Sequence, residues 1–347
     1  MQSGKTMVAS WSIAIVTSLL ILFVASVQAQ SRISLVGSGS NVPSHLYAAW
    51  TDEFNKKNAN IQVRYLSMST VEGIRQISEG SGDFAAGEIP LSPEQMHGSK
   101  VSLGQIPSVL VGLVPIYKLS GNPELNFSGE VLAQIYLGAI KNWKDPRLAK
   151  LNPAAALPDL PISVVHRSSG KGSNYIFTDF LSKTSAEFRS QVGVNASPKW
   201  PLGTEANRGE DMVEQVGSTP GAIGYVELNF ARRPDIGYGN VRNSAGRFVR
   251  ATPASITAAC VAFQKSIPKD FGISLTNASG KESYPISSFT WLYVPSSASA
   301  TERSRALGQF LAWALADGQS IAQGMGYATL PPGVLSKARA AVSPYSR

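Results

Sequence analysis

The 347-residue chain carries 31 Lys and Arg against 23 Asp and Glu, a formal charge of +8, with 43% hydrophobic residues and a single cysteine, Cys260. One thiol excludes an internal disulfide and a Cys-Cys metal site, and the length exceeds what one compact core organises well, which predicts two lobes. The basic residues are dispersed, with pairs at Lys56-Lys57 and Arg232-Arg233 but no long basic run interleaved with aromatics, so nucleic-acid binding is not expected and most of the excess reads as solvated surface.

Residues 1–29 read as a secretory signal peptide. Lys5 is the one charge, residues 8–24 are apolar or small, and Val27-Gln28-Ala29 sets small residues where a signal peptidase cuts. Residues 8–27 approach the roughly 20 that span a bilayer, so an uncleaved anchor is the alternative; the Val-x-Ala ending favours cleavage after Ala29. Removal leaves 30 Lys and Arg against 23 Asp and Glu, a charge of +7, on an exported chain of about 318 residues. No cysteine follows the cut to carry a lipid. Cys260 reads as a small buried hydrophobe.

Short apolar strands then alternate with helical patterns, the signature of an α/β protein. Residues 33–36 predict a strand that enters the loop Gly37-Ser38-Gly39-Ser40-Asn41-Val42-Pro43, followed by a helix over about 44–57. A strand over 61–65 leads through Ser67-Met68-Ser69-Thr70 to a helix over 71–79, and residues 83–87 predict a short strand presenting Glu88 at its carboxyl edge. The middle repeats the pattern. A long apolar strand covers 109–117, a helix over 131–137 ends at Gly138, and a strand over 162–165 feeds Arg167. The run Arg167-Ser168-Ser169-Gly170-Lys171-Gly172-Ser173 opens a helix over 174–181. Residues 220–225 make a tight turn into a strand, 232–250 are hydrophilic, 289–294 form a strand, and 306–316 and 334–341 close the chain as helices.

Three Gly/Ser-rich segments therefore each run into a helix, off the carboxyl ends of strands, where open α/β sheets bind ligands. The first turn of a helix carries unpaired N–H groups and the positive end of its dipole, so three such ends aimed at one point make an anion cradle. Arg167 adds a planar fork of donors and Lys171 a compact charge. Read singly, each segment has a plainer explanation, because Ser, Thr, Asn and Gly cap helices for local reasons. Arg167 could equally be a surface ion-pair partner, Lys171 could face solvent, and Glu88 could cap a turn.

The residues that settle the comparison lie along the whole exported chain. They include Gly-Ser-Gly-Ser-Asn41-Val42-Pro43 with Tyr47 and Trp50, Asp83-Phe-Ala-Ala-Gly-Glu88-Ile-Pro90-Leu-Ser92, Ile135-Tyr-Leu-Gly-Ala-Ile-Lys-Asn-Trp143, Lys150-Leu-Asn-Pro153, Lys199-Trp-Pro-Leu-Gly203, Pro220-Gly-Ala-Ile-Gly-Tyr-Val-Glu227 and Gly326-Tyr-Ala-Thr-Leu-Pro331. With these segments the chain resembles the periplasmic phosphate-binding protein of the bacterial Pst phosphate ABC importer. The resemblance implies a two-lobed type II periplasmic-binding-protein fold of α/β class. It implies lobes of residues 30–111 with 287–347 and of 112–286, two crossover strands, and an anion held in the cleft. Position by position, it implies a phosphate set of Asn41, Val42, Thr70, Glu88, Arg167, Lys171, Gly172 and Ser173. The implied partners are inorganic phosphate and an inner-membrane ABC permease with its ATPase, for a monomer with no cofactor and no metal.

The chain departs from the family pattern at several of these positions. Asn41 stands where the family usually has Thr, and Thr70 and Ser173 exchange one hydroxyl for another. Glu88 replaces an Asp that accepts a proton from phosphate, which selects against sulfate because sulfate has no proton to give. The extra methylene sets its carboxylate about 1.5 Å further along the side chain. Ser169 stands where an Asp usually pairs with the arginine, and Lys171 where a Ser is usual. The pocket is thereby more cationic by about two charges, which strengthens anion capture unless Lys171 pairs with Glu88 across the cleft. These changes keep open a sulfate-type oxyanion receptor and a non-transport sensing or sequestering protein.

Enzyme motifs are missing from the sequence. His45, His97 and His166 form no His-x-x-x-His pair, Gly-x-Ser-x-Gly does not occur, and Gly170-Lys171-Gly172-Ser173 lacks the spacing of a P-loop. His166 is expected at a strand end, packed between the lobes.

Overall fold

A computed structural model of the chain describes residues 32–97, 100–296 and 301–346; the expected signal peptide lies outside them. The predicted βα alternation is present from the start of this region. Strand β1 is Ile33–Ser40, β2 Ile61–Met68 and β3 Phe84–Gly87, with helices Ser44–Lys57 and Thr70–Ser78 between them. These three strands are mutually parallel, as right-handed crossovers through a helix demand. Each is longer than, or offset from, its apolar core in sequence. Gly37–Ser40, expected as loop, completes β1 and pairs with residues 65–68 of β2. Gly39 sits there at φ +132°, in close approach to the Ala86 carbonyl, a backbone geometry that favours glycine.

Strand β4, Leu103–Tyr117, begins six residues earlier than the apolar run suggests and passes through both lobes. Its first part pairs antiparallel with β12, Ser287–Pro295, and its last part, from Leu113, pairs with β8, Ala222–Glu227. Pro107 has no N–H to give a central ladder, and the β4–β12 register shifts there between Thr290 and Trp291. Strand β6, Ser163–Arg167, lies parallel to β8, and β7, Thr204–Ala206, parallel to β6. Among the described residues this gives the order β2-β1-β3-β12-β4-β8-β6-β7, with β9, Gly237–Tyr238, paired to β4. The stretch just before β12 crosses back beside β4, where Leu113 N–H donates to Ile286 O (2.9 Å) and the Tyr284 hydroxyl to Leu113 O (2.7 Å).

The hydrophilic stretch 232–250 is less irregular than its composition suggests. It contains β9, β10 (Asn240–Arg242) and β11 (Phe248–Val249), the last two forming a small sheet with β5, Asn126–Phe127. Helices Gly209–Ser218, Pro253–Phe263 and Asp317–Gly324 add to the predicted elements. Pro253–Phe263 is apolar nearly all round, so it lacks the one-sided stripe that marks a surface helix; its start is fixed by Thr252, whose hydroxyl accepts from Ser255 N–H.

Each lobe has its own aromatic core. In the first, Tyr47 stacks on Trp50, and Phe54 meets Phe310 and Trp313 edge-on. In the second, Tyr136, Phe177, Trp200 and Tyr225 pack together as one group and Tyr117, Phe127 and Trp143 as another. Buried indoles still find acceptors: Trp50 Nε1 donates to Gly318 O (2.8 Å) and Trp143 Nε1 to Gly221 O (2.9 Å). Cys260 is buried and free, and burial pushes its thiol up to about 12.

Candidate functional site

Strands β1, β2, β3 and β6 each hand over a polar residue at the carboxyl end, as the α/β geometry requires. Asn41 follows β1, Thr70 opens the helix after β2, Glu88 follows β3, and Arg167 is the last residue of β6. All four are buried. The first three come from one lobe and Arg167 from the other; Asn41 meets Arg167 across the cleft, and Thr70 meets Glu88.

Arg167 lies at the centre. Its Nη2 donates to Asn41 Oδ1 across the cleft (3.0 Å) and to Asn207 O (3.2 Å). Nη1 is 3.9 Å from Glu227 Oε1, and neither Nε nor Nη1 has a hydrogen-bond partner within the protein. Tyr225 steadies the backbone: its hydroxyl accepts from Arg167 N–H (3.2 Å) and donates to the Asn174 side chain. A fully buried guanidinium with unused donors is strained electrostatically, because each buried donor left unpaired costs about 1–3 kcal/mol. The Ser173 hydroxyl is in the same condition.

Glu88 lies against Gly172 of Arg167's lobe. Its Oε2 accepts from Ser40 Oγ (2.7 Å) and Thr70 Oγ1 (3.2 Å), and its Oε1 from Thr290 Oγ1 (3.3 Å). Burial pushes its carboxyl up to about 8; the three hydroxyls oppose that shift and Glu227 adds to it. Glu227 is likewise raised by burial, with the neighbouring Arg167 pulling it down.

The helix Gly172–Thr184 points its first turn at Glu88. Its N-cap residue, Lys171, makes no side-chain capping bond, so the first amides, of Gly172 and Ser173, precede the helical ladder. Contact there is close enough that a Cβ on Gly172 would lie 2.1 Å from Glu88 Oε2 and 2.8 Å from Thr70 Oγ1. The lobes also meet where Val71 N–H donates to Gly170 O (3.2 Å) and where His45 Nε2 approaches Glu210 Oε1 (3.2 Å).

Other expected residues occupy different surroundings. Val42 is a core side chain, and its N–H donates to Ser40 Oγ (3.1 Å). Ser69 does cap its helix, accepting from Glu72 N–H, so the plain capping explanation holds for the second segment. Lys171 is buried beside Arg167, Asp211 and Arg208, and burial followed by the Arg167 charge pulls its ammonium below the usual range. It does not pair with Glu88, whose oxygens are taken by hydroxyls. His166 is not between the lobes: it stacks on Trp200 inside its own lobe, ring centroids 5.4 Å apart, because alternation along β6 turns it away from the cleft side taken by Arg167.

Ser40, Asn207, Glu227 and Thr290 belong to the site and were not singled out from the sequence. Ser40 and Glu227 lie inside conspicuous motifs, Gly-Ser-Gly-Ser and Gly-Tyr-Val-Glu, which was the available signal. Thr290 reaches Glu88 only through the pairing of β12 with β3, which no local pattern announces. Among the described residues, no group of three or more His, Cys, Asp or Glu is placed to hold a metal ion, and no helix is long and apolar enough to cross a membrane.

Two α/β lobes joined by two crossing strands, with β12 inserted between β3 and β4, define a solute-binding protein of the two-lobed type II fold. A profile of the PBP superfamily domain matches residues 25–318. The phosphate-binding protein PstS of Pasteurella multocida is 35% identical, covering 92% of this chain and 91% of its own length. PstS of Haemophilus influenzae is 34% identical, covering 87% and 90%. The chain belongs to the PBP superfamily and, within it, to the PstS family of phosphate-binding proteins. Among solved structures, the phosphate binding protein of Stenotrophomonas maltophilia has the same fold at 18% identity and TM-score 0.65, covering 88% of this chain and 93% of that one. An ABC-type phosphate transport receptor from Vibrio cholerae matches at 17% identity and TM-score 0.60, covering 86% and 100%.

Proposed function

We propose that the protein is the periplasmic receptor of a phosphate importer, capturing inorganic phosphate between its lobes and delivering it to an inner-membrane ABC permease with its ATPase. The observation that carries this reading is the buried Arg167, whose Nε and Nη1 lack hydrogen-bond acceptors within the protein, set beside the first turn of the helix Gly172–Thr184 and Ser173 Oγ. A tetrahedral oxyanion supplies the acceptors that these donors lack. Relatives named phosphate-binding protein, 31–35% identical over most of the chain, support the choice of anion.

In this reading the phosphate is held by Asn41, Val42, Thr70 and Glu88 from one lobe and by Arg167, Lys171, Gly172 and Ser173 from the other. The lobes comprise residues 30–111 with 287–347, and 112–286. The chain works as a monomer after cleavage behind Ala29, and it binds rather than catalyses. Because the anion bridges donors on both lobes, it favours the closed form.

A second reading, a receptor for a fully ionised oxyanion such as sulfate, draws on Glu88. A carboxyl raised to about 8 is protonated at neutral pH and can donate to an anion that has no proton of its own. Calorimetric titration of residues 30–347 with phosphate, sulfate and arsenate separates the two. Tight phosphate binding, lost in Arg167→Ala, is the expected result. Near-normal phosphate titration of Arg167→Ala would refute the assigned role, and sulfate outcompeting phosphate at pH 7 would favour the second reading.

A further inference from the structure

We propose that Asn41 is an affinity-setting switch on Arg167: its side-chain oxygen holds the guanidinium nitrogen that an anion needs for a two-pronged grip, and binding requires it to let go. The inference rests on the phosphate reading for its ligand, but its core is the contact across the cleft.

A guanidinium offers oxyanions two forks of parallel N–H groups, one from Nε with Nη2 and one from Nη1 with Nη2. Both forks include Nη2. In Arg167, Nη2 already serves two acceptors, Asn41 Oδ1 at 3.0 Å and Asn207 O at 3.2 Å, whereas Nε and Nη1 have none. Each fork thus has one free prong and one taken prong. Asn207 O is a backbone carbonyl in Arg167's own lobe, just after β7, and cannot withdraw without moving the chain. Asn41 Oδ1 comes from the opposite lobe and retreats by rotation about a single bond.

That rotation has a second effect. Asn carries an acceptor and a donor on the same planar amide, and Asn41 Nδ2 now faces Asn207 O at 3.4 Å. Turning about Cα–Cβ withdraws the whole amide from both Nη2 and Asn207 O and leaves the Nδ2 N–H free to donate to the anion. The contact spans the two lobes, so it favours closure with no anion between them. An interaction present in the free protein and given up on binding lowers affinity, and a cleft held shut admits its ligand slowly.

Asn41→Thr keeps a hydroxyl donor on a side chain one bond shorter, which cannot hold Nη2 in this way. Asn41→Asp keeps the reach and turns the contact into an ion pair. Losing or strengthening a hydrogen bond to a charged group changes an equilibrium by roughly tenfold or more, which sets the expected change. In stopped-flow and calorimetric titration with inorganic phosphate, Asn41→Thr should bind about tenfold more tightly with a faster on-rate. Asn41→Asp should bind at least tenfold more weakly. By small-angle X-ray scattering without anion, wild type should be more compact than Asn41→Thr. Circular dichroism melts establish that both variants fold. Unchanged or weaker phosphate affinity in a folded Asn41→Thr overturns the switch. Should wild type fail to bind phosphate, the receptor reading falls, and scattering still decides the clasp: equal radii of gyration for wild type and Asn41→Thr overturn it.

Discussion

Replacing Gly172 by Ala should separate ligand capture from folding. The added Cβ would lie 2.1 Å from Glu88 Oε2, 2.8 Å from Thr70 Oγ1 and 3.0 Å from Glu88 Cβ, so the first turn of the helix Gly172–Thr184 and the Glu88 side chain cannot both keep their places. Moving the carboxyl aside breaks the bonds that Oε2 accepts from Ser40 and Thr70. At about 1 kcal/mol for each such bond, closure loses about 2 kcal/mol. The general cost of one excess methyl group in a packed site, about 1–3 kcal/mol, gives the same answer. The alternative, keeping the lobes slightly apart, removes the anion's bridge and costs affinity too. Phosphate should therefore bind about thirtyfold more weakly. Folding should not suffer, because the position is helical and Ala is the better helix former by up to about 1 kcal/mol. Calorimetric titration with phosphate beside a thermal melt of the unliganded protein measures both. Affinity within threefold of wild type would show that Gly172 and Glu88 do not meet in the bound form, and the reasoning would be refuted.

Glu88 should make ligand choice depend on pH. With its carboxyl raised to about 8, it is protonated at pH 7 and becomes a carboxylate able to accept phosphate's proton above that value, so the preference for phosphate over sulfate should rise between pH 7 and 9 and flatten in Glu88→Gln. The same shift has a stability consequence: between the ordinary value of 4.5 and about 8 the folded state binds a proton that the unfolded state releases, so this group's contribution is complete below 4.5 and is lost as pH climbs through 8. Melts at pH 5, 7 and 9 should show Glu88→Gln gaining on wild type with rising pH, and parallel curves would contradict the raised value. Asp83 lies away from the cleft, accepting from Val36 N–H (2.7 Å) and from the Arg303 guanidinium. Asp83→Ala should cost about 2 kcal/mol by denaturant titration while leaving phosphate affinity unchanged; a loss of affinity with intact stability would contradict this purely structural role.

Residue order alone sets the α/β class, the first helix at Ser44–Lys57, and the placement of Asn41, Thr70, Glu88 and Arg167 at carboxyl ends of strands. These follow from local periodicity, capping chemistry and the fixed direction of a parallel sheet, which need only a window of neighbouring residues. Strand limits were less legible. Gly37–Ser40 looks like a loop because its residues are small and polar, yet it is held in β1 by pairing on both sides with β2 and β3. The short strands at 237–249 have two or three residues each, too few to show a period. The electrostatics of the cleft depend on contacts between segments far apart in the chain. Thr290 meets Glu88 across 202 residues of sequence, Arg167 meets Asn41 across 126, and Glu227 comes within 3.9 Å of Arg167 from a different strand. Burial, which sets how costly an unpaired donor is and where a carboxyl titrates, belongs to the assembled cleft, since no residue can be desolvated by its sequence neighbours alone.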